Sequence, residues 1–264
     1  MILSNMKKLT VLMASVVVAL WSSLSAAQDK PVAIPEVSES WRGSITPYIW
    51  LTNISGSVYY DQSRLGGVNY GSSQLMSNLN FAGMVTGEVH KGNVGFMADL
   101  VYSKISPQKS FVIGQSDIGS RTTIEQGIYT LAGTYTLYNS KNAYVDGLAG
   151  IRIMTTNSTT DLNVIDVPYG SVKAKSKTIT DPVVGMKGRV RIDDTDFFIP
   201  FYLDVGGGTQ DTDITSQQML GVGRAFEWGD VTLAFKNLYY KQKMNSITTN
   251  QNLFGGAVGV TFKF

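Results

Sequence analysis

The feature that most limits what this chain can fold into is a period-two alternation of side chains. Over residues 254–264 alternate positions carry Phe254, Gly256, Val258, Val260, Phe262 and Phe264. The positions between them carry Gly, Ala, Thr and Lys. Alternation of this kind indicates a β-strand whose two faces meet different environments. The pattern recurs along the chain with no helical period between its occurrences, so the sequence predicts an all-β protein.

The alternation predicts about ten strands, with eight and twelve as alternatives. The predicted strands cover residues 44–59, 79–89, 93–104, 123–137, 143–156, 178–192, 196–207, 215–227, 230–242 and 253–264. Short polar turns join every second pair, and longer connections rich in Ser, Thr, Gly and Asn join the others, at 60–78, 105–122, 155–177, 208–214 and 243–251. Short turns at one end and long loops at the other are typical of bacterial outer-membrane barrels. The sequence therefore predicts a transmembrane, antiparallel, up-and-down β-barrel with both termini in the periplasm.

The N-terminus has the composition of a secretory signal peptide. Lys7 and Lys8 precede an apolar run over 9–20, and small residues then lead to a predicted cleavage site after Ala27. The run is too short to cross a bilayer as a helix, although a short membrane anchor is the alternative. We expect a signal peptide at 1–27, a periplasmic extension at 28–40 and a barrel at 41–264. This predicts export to the outer membrane of a Gram-negative bacterium.

Charge and cysteine content exclude several classes of function. The chain has 22 Lys and Arg against 20 Asp and Glu, and removal of Lys7 and Lys8 with the signal peptide makes the two numbers equal. A neutral protein has no electrostatic reason to bind nucleic acid. The absence of cysteine excludes disulfide-stapled modules, thiol enzymes and cysteine zinc sites.

A secreted soluble barrel is the alternative to a membrane barrel, and side-chain size separates the two. Leu220 and Val222 alternate with Gly221 and Gly223. Glycine weakens strands and gains nothing on a solvated surface, whereas small residues mixed with charges suit the crowded lumen of a narrow barrel. We therefore expect the bulky residues to face lipid.

Several segments carry a resemblance that reaches from about Trp41 to Phe264. They are residues 46–50, 98–102, 181–185, 204–208 and 221–223. Together they resemble a family of small, poorly characterised proteobacterial outer-membrane β-barrel proteins. The final segment, 259–264, resembles the strand signal read by the barrel assembly machinery, which implies that machinery as a partner and Phe262 and Phe264 as the signal. Arg224 and Asn237 depart from the family pattern, which usually has aromatic residues there.

The sequence gives little support for catalysis. Outer-membrane hydrolases generally pair a histidine with Ser, Asp or Glu, and the single histidine of this chain is His90. It falls in the turn predicted at 90–93, on the periplasmic side, where it should be solvated. One histidine also cannot build a multi-histidine metal site. We expect no catalytic, cofactor-binding or metal-binding residues and no cofactor; a lipid-modifying hydrolase is the less favoured alternative.

The charged residues at the alternate strand positions that should face the lumen are the better candidates for function. The predicted lumen-facing charges are Glu88, Asp99, Asp146, Arg152, Asp181, Lys187, Arg189, Arg191, Asp204 and Lys236. They form either a salt-bridge network that fills the barrel or a charged constriction that tunes ion selectivity. In a barrel of this size side chains can fill the interior. Lys187, Arg189 and Arg191 are where anion preference should arise if a pore exists.

The predicted function is therefore that of a non-enzymatic outer-membrane barrel, either structural or a narrow porin-like channel for small solutes. Adhesion or ligand binding through the long loops is the alternative. The loop at 155–177 ends with Lys173, Lys175 and Lys177, which either extend a strand, meet lipopolysaccharide phosphates or lie in a solvated hairpin. Outer-membrane lipid and lipopolysaccharide are the expected partners, and the solute is unknown. Asp211 and Asp213 are too few ligands for a cation site.

Overall fold

The computed structural model describes residues 33–61, 63–113, 116–164, 171–208, 212–244 and 246–264. The predicted signal peptide, the first part of the predicted extension and Asp211 lie outside these residues.

Ten long strands build the wall of the molecule in the described part of the chain. They are β1 (Arg42–Tyr60), β3 (Leu79–Lys91), β4 (Val94–Ile105), β6 (Ser116–Asn139), β7 (Ala143–Val164), β8 (Ser171–Arg191), β9 (Phe197–Gly206), β10 (Thr212–Phe226), β11 (Gly229–Met244) and β12 (Ile247–Lys263). Two short strands, β2 (Ser63–Tyr70) and β5 (Gln108–Ile113), and the helix α1 (Ser72–Ser77) lie in the connections. Within these residues no helix is long and apolar enough to span a membrane.

The long strands form a closed barrel. Each pairs antiparallel with its neighbours in chain order, and β12 returns to pair with β1 from Ser44↔Lys263 to Tyr60↔Ile247. β2 pairs with β1, and β5 pairs with β6. Among the described residues the pairing of β12 with β1 leaves the wall without an unpaired end strand, which a lipid environment would not tolerate. The prediction of a ten-stranded, up-and-down, antiparallel barrel is confirmed.

The connections differ between the two ends of the barrel. At one end, which we call the short-turn end, the turns are brief; the β3–β4 turn contains Gly92 with φ +57°, a conformation that glycine adopts without steric cost. At the other end, the long-strand end, three connections predicted as loops, 105–122, 155–177 and 243–251, are largely strand. β7 and β8 pair there from Leu162↔Ser171 to Thr155↔Thr178. Five of the sixteen residues that pair here are threonines, whose β-branched side chains favour strands.

The outer face of the barrel carries a belt of large apolar side chains. Every long strand contributes to it, with exposed examples at Ile49, Val89, Phe96, Tyr135, Ile151, Val184, Leu203, Leu220, Leu233 and Val258. An exposed apolar surface of this extent is not tolerated in water, and a belt around a closed barrel fits the hydrocarbon core of a membrane. The membrane barrel is therefore preferred to the secreted soluble barrel.

Arg224 and Asn237 both lie at the borders of this belt. At the long-strand end Asn237 donates a 2.7 Å hydrogen bond to Gln218, its cross-strand neighbour. At the short-turn end the Arg224 guanidinium carbon lies 5.0 Å and 5.5 Å from the ring centres of Phe226 and Phe197. The amides of Asn237 and Gln218 thus hydrogen-bond to each other where the surface becomes polar. The guanidinium of Arg224 lies over aromatic rings at the interface.

Candidate functional site: the barrel interior

The inward-facing side chains form three successive layers. The basal layer, at the short-turn end, consists of Arg42, Glu88, His90, Tyr144, Asp146, Lys187, Arg189, Phe198, Asp230 and Lys263. The middle layer consists of Tyr48, Asp99, Arg152, Asp181, Tyr202, Asp204, Gln217 and Lys236. The apolar layer, nearer the long-strand end, consists of Trp50, Val101, Ile128, Met154, Leu238, Tyr240, Leu253 and Ala257.

Arg152 and Asp204 form the most deeply buried ion pair of the described residues, with both side chains inaccessible to solvent. The guanidinium also donates to Thr130 and Thr215, at 3.3 Å and 3.1 Å. Asp204 accepts further hydrogen bonds from the Tyr202 hydroxyl at 2.6 Å and the backbone N–H of Gln217 at 3.0 Å. Such a set of partners satisfies charges that would otherwise be costly to bury.

A second pair in the middle layer joins distant parts of the wall. Lys236 of β11 lies 2.8 Å from Asp99 of β4, and three strands separate these two around the barrel. Lys236 also donates to the Tyr48 hydroxyl at 2.9 Å, and that hydroxyl donates to Asp99 at 2.7 Å. Because the pair bridges the lumen, it narrows the passage and links opposite walls.

The basal layer contains a similar bridge. Lys187 of β8 lies 2.5 Å from Glu88 of β3 and 3.6 Å from Asp146. His90 is 3% exposed and its Nε2 lies 3.4 Å from the Glu88 carboxylate. The expectation of a solvated turn histidine is therefore wrong. β3 continues through Lys91, so His90 lies two residues after Glu88 on the same strand and also faces the lumen.

The three cations of β8 do not act as one cluster. Arg189 lies 2.8 Å from Asp230, which also receives Lys263 at 2.6 Å. Arg191 donates to the backbone carbonyl of Thr195 at 2.7 Å, in the turn after its strand. Lys187 and Arg189 thus already face carboxylates. Arg191 instead bonds within the turn after β8, away from the other predicted lumen charges. All the other predicted lumen charges lie among the inward-facing side chains.

The apolar layer occupies the lumen directly beyond the middle layer. Trp50, Val101 and Leu238 each lie two residues past Tyr48, Asp99 and Lys236 on the same strands. The members of the layer contact one another, and each is at most 7% exposed. In the described part of the chain, side chains so inaccessible to water leave no water-filled passage beside them. The sequence does not reveal this layer, because bulky residues are expected on the lipid face.

A cavity of about 560 Å³ lies between the rim of the short-turn end and the middle layer. Arg42, Lys263 and Phe264 line its rim, and Tyr48, Gln217 and Lys236 line its inner end. The segment before β1 contributes to its border through Pro35 and Glu36. Of the apolar layer, only Ala257 reaches it. The cavity therefore opens toward one side of the barrel.

The segment before β1 is held against the basal layer. Ala33 and Ile34 are buried, and Ala33 packs with Phe198 and Ala225. Its carbonyl accepts a 3.3 Å hydrogen bond from Arg189, and the Pro35 carbonyl accepts one of 2.8 Å from Asn139. This segment, at the end of the predicted periplasmic extension, thus borders the entrance of the cavity.

The two predicted signal aromatics differ in their surroundings. Phe262 is on the outer face, with its ring centre 5.8 Å from that of Trp228. Phe264 is 80% exposed, and its backbone exchanges two hydrogen bonds with Gly43 across the seam that closes the barrel. Their role in assembly stays a prediction. Within the described residues no three His, Asp or Glu side chains are grouped so as to hold a metal ion.

Comparison with known proteins bears on the fold. No family model matches the chain, and no curated protein does. The outer membrane protease OmpT of Escherichia coli superposes with a TM-score of 0.53 at 9% identity, over 87% of this chain and 99% of that chain. The fold is that of outer-membrane β-barrels. Ail of Yersinia pestis matches with a TM-score of 0.32 at 10% identity, over 85% of this chain and 99% of that chain. The narrower family resemblance stays a prediction.

Proposed function

We propose that the protein is a non-enzymatic outer-membrane barrel of a Gram-negative bacterium, with a closed lumen and a structural role in the membrane. The apolar layer carries this proposal. A hydrophobic constriction excludes water and ions even before its walls touch, and here Trp50, Leu238 and their neighbours are in contact. The ion pairs across the lumen also support a closed lumen, because they fix the distance between opposite walls of the barrel.

The surroundings of His90 support a non-enzymatic role. Its Nε2 faces Glu88, and its Nδ1 lies 3.5 Å from the Tyr144 hydroxyl. Glu88 is in turn held by Lys187 at 2.5 Å. A general base needs a nitrogen or oxygen within reach of the proton that it removes, and both ring nitrogens already face protein groups. A narrow channel for small solutes would require the apolar layer to rearrange.

Planar-bilayer recording tests the closed lumen. The chain without residues 1–27 is refolded, inserted and recorded at a range of voltages, with folding established by circular dichroism on the same preparation. We expect no steady openings, since no water path crosses the apolar layer. Steady openings of uniform conductance from folded protein would contradict the proposal and favour the porin-like alternative.

A second candidate function is binding of lipopolysaccharide by the part of the wall that extends past the apolar belt. On β7 the outward residues change from Ile153 to Thr155 and Asn157, and the strand then continues to Val164. Residues 155–164, ten in all, extend roughly 30 Å at the usual rise per residue of a strand. Lys175 and Lys177 lie on the paired strand at the alternate positions that continue the lumen-facing side of β8, and Lys177 donates to Gln242 of β11 at 3.3 Å. Lys175 is exposed past the apolar belt, where an ammonium group can bind a phosphate.

A shortened hairpin tests this second candidate. Asn157 and Ser176 are directly paired, so an Asn-Gly turn can replace 158–175 without changing the register below it. We expect the shortened chain to fold and to lose binding of purified lipopolysaccharide. Lys141→Gln, in the turn at the other end of β7, should leave binding unchanged. Equal binding by the shortened and full-length chains would contradict this candidate.

A further inference from the structure

We propose that the cavity at the short-turn end binds a small amphipathic anion, a carboxylate attached to an aromatic or aliphatic body, with Arg42 as its anion-binding residue. This goes beyond the structural role proposed above, because a closed lumen by itself requires no ligand. Four features carry the proposal: the unused donors of Arg42, the pairing of the other cations, the apolar lining and the one-sided opening.

Arg42 lies at the rim of the cavity with most of its donors unused. Its Nη2 donates to the Tyr144 hydroxyl at 2.6 Å, and its guanidinium carbon lies 5.0 Å from the centre of that ring. Its Nε is buried and has no acceptor among the described residues. A guanidinium presents a rigid fork of donors that matches a carboxylate. Tyr144 therefore holds the guanidinium in place while leaving most of that fork available.

The other cations that line the cavity are already paired. Lys187 faces Glu88, Lys236 faces Asp99, and both Arg189 and Lys263 face Asp230. Within the described part of the chain Arg42 alone among the lining cations has no carboxylate within 4 Å. Glu36, which also lines the entrance, is exposed. The cavity thus offers one unpaired positive group, which selects for a ligand with a single negative charge.

The remainder of the lining suits an uncharged body. Met97, Tyr144, Phe198, Tyr202 and Met219 all border the cavity. Its volume of about 560 Å³ lies within the range of roughly 300–1,000 Å³ usual for small-molecule sites, which combine an apolar lining with few polar groups. Aromatic faces and thioethers accept flat or flexible apolar groups. A ligand would place its acid at Arg42 and its body against these side chains.

The ligand can enter from one side only. The rim residues at the short-turn end line the cavity, whereas the apolar layer stands beyond its inner end. In the topology of outer-membrane barrels, short turns face the periplasm. The site is therefore accessible from the periplasm and not from the cell surface, so it suits retention of a ligand rather than its passage.

Binding of two probes of matched shape and opposite charge tests the proposal. The chain without residues 1–27 is placed in nanodiscs of zwitterionic lipid, and equilibrium dialysis measures 2-naphthoate and 2-naphthylmethylammonium, with empty nanodiscs subtracted. We expect saturable binding of one naphthoate per chain, with the ammonium bound at least about tenfold more weakly, because a hydrogen-bonded charge pair contributes about that much to affinity.

Variants then assign the anion to Arg42. Arg42→Gln should weaken naphthoate binding about tenfold or more and leave ammonium binding no weaker. Tyr144→Phe removes the hydroxyl that holds the guanidinium and should weaken naphthoate binding severalfold. Arg224→Gln removes a guanidinium from the outer face and should have no effect. If Arg42→Gln does not fold, Arg42→Lys and Tyr144→Phe carry the test.

Three outcomes would overturn the proposal: no saturable naphthoate binding, equal binding of the two probes, or naphthoate binding that is independent of Arg42 and Tyr144. None of them bears on the closed lumen, which conductance tests separately.

Discussion

Replacing Arg152 with Met is expected to lower the free energy of unfolding by roughly 3 to 5 kcal/mol, the cost of leaving a buried charge without its partner. Asp204 is inaccessible to solvent, and Arg152 is its ion-pair partner. The variant also removes the N–H groups of Arg152 that donate hydrogen bonds to the hydroxyls of Thr130 and Thr215. Urea unfolding of the chain in lipid vesicles, followed by tryptophan fluorescence, measures the change.

A double variant separates loss of the pair from loss of packing. Asp204→Asn removes the charge, keeps an oxygen that accepts from the Gln217 N–H, and places an amide N–H beside the Tyr202 hydroxyl, which can accept from it. The combination with Arg152→Met should recover much of the lost stability, since removal of both charges is far less costly than removal of one. Arg224→Met, on the outer surface, should change stability by less than about 1 kcal/mol. Equal losses in the single and double variants would contradict a burial cost.

The architecture of the barrel could be predicted because it depends on local patterns. Period-two alternation gives the strands, and turn length gives their order, so the ten long strands follow from the sequence. The extension of β7 and β8 does not, because outside the membrane both faces of the hairpin are polar. Without one apolar face, a strand shows no alternation of apolar and polar residues. Backbone hydrogen bonds hold residues 155–164 to their partners, and these bonds do not require any particular side chains.

The interior could be predicted only in part, for a similar reason. Parity alone assigns Arg152, Asp204 and Lys236 to one face of their strands, since side chains alternate strictly. Their partners depend on the stagger and width of the closed sheet. Thus Arg152 of β7 forms an ion pair with Asp204 of β9, two strands away around the barrel. His90 is misplaced because the predicted strand ends at residue 89, whereas β3 continues to Lys91.

Opening the apolar layer is expected to convert a silent bilayer into a conducting one. The variant combines Trp50→Ala, Leu238→Ala and Leu253→Ala, all members of the layer and each at most 4% exposed. The truncations remove the side chains that exclude water, and a widened passage lined by fewer apolar atoms becomes wetted. Planar-bilayer recording, as for the unmodified chain, should show steady openings where that chain shows none.

A matched control separates the effect of removing side-chain volume from the effect of removing it inside the lumen. Leu220→Ala, Leu233→Ala and Phe235→Ala remove similar bulk from the outer face, where the three side chains are more than half exposed. That chain should stay silent, because its lumen is unchanged. Large-to-small changes in a packed core each cost roughly 2 to 5 kcal/mol, so folding of both variants is established before recording. If the folded inner variant is also silent, the apolar layer is not what closes the barrel, and the bridges from Lys236 to Asp99 and from Lys187 to Glu88 become the barrier that conduction would have to cross.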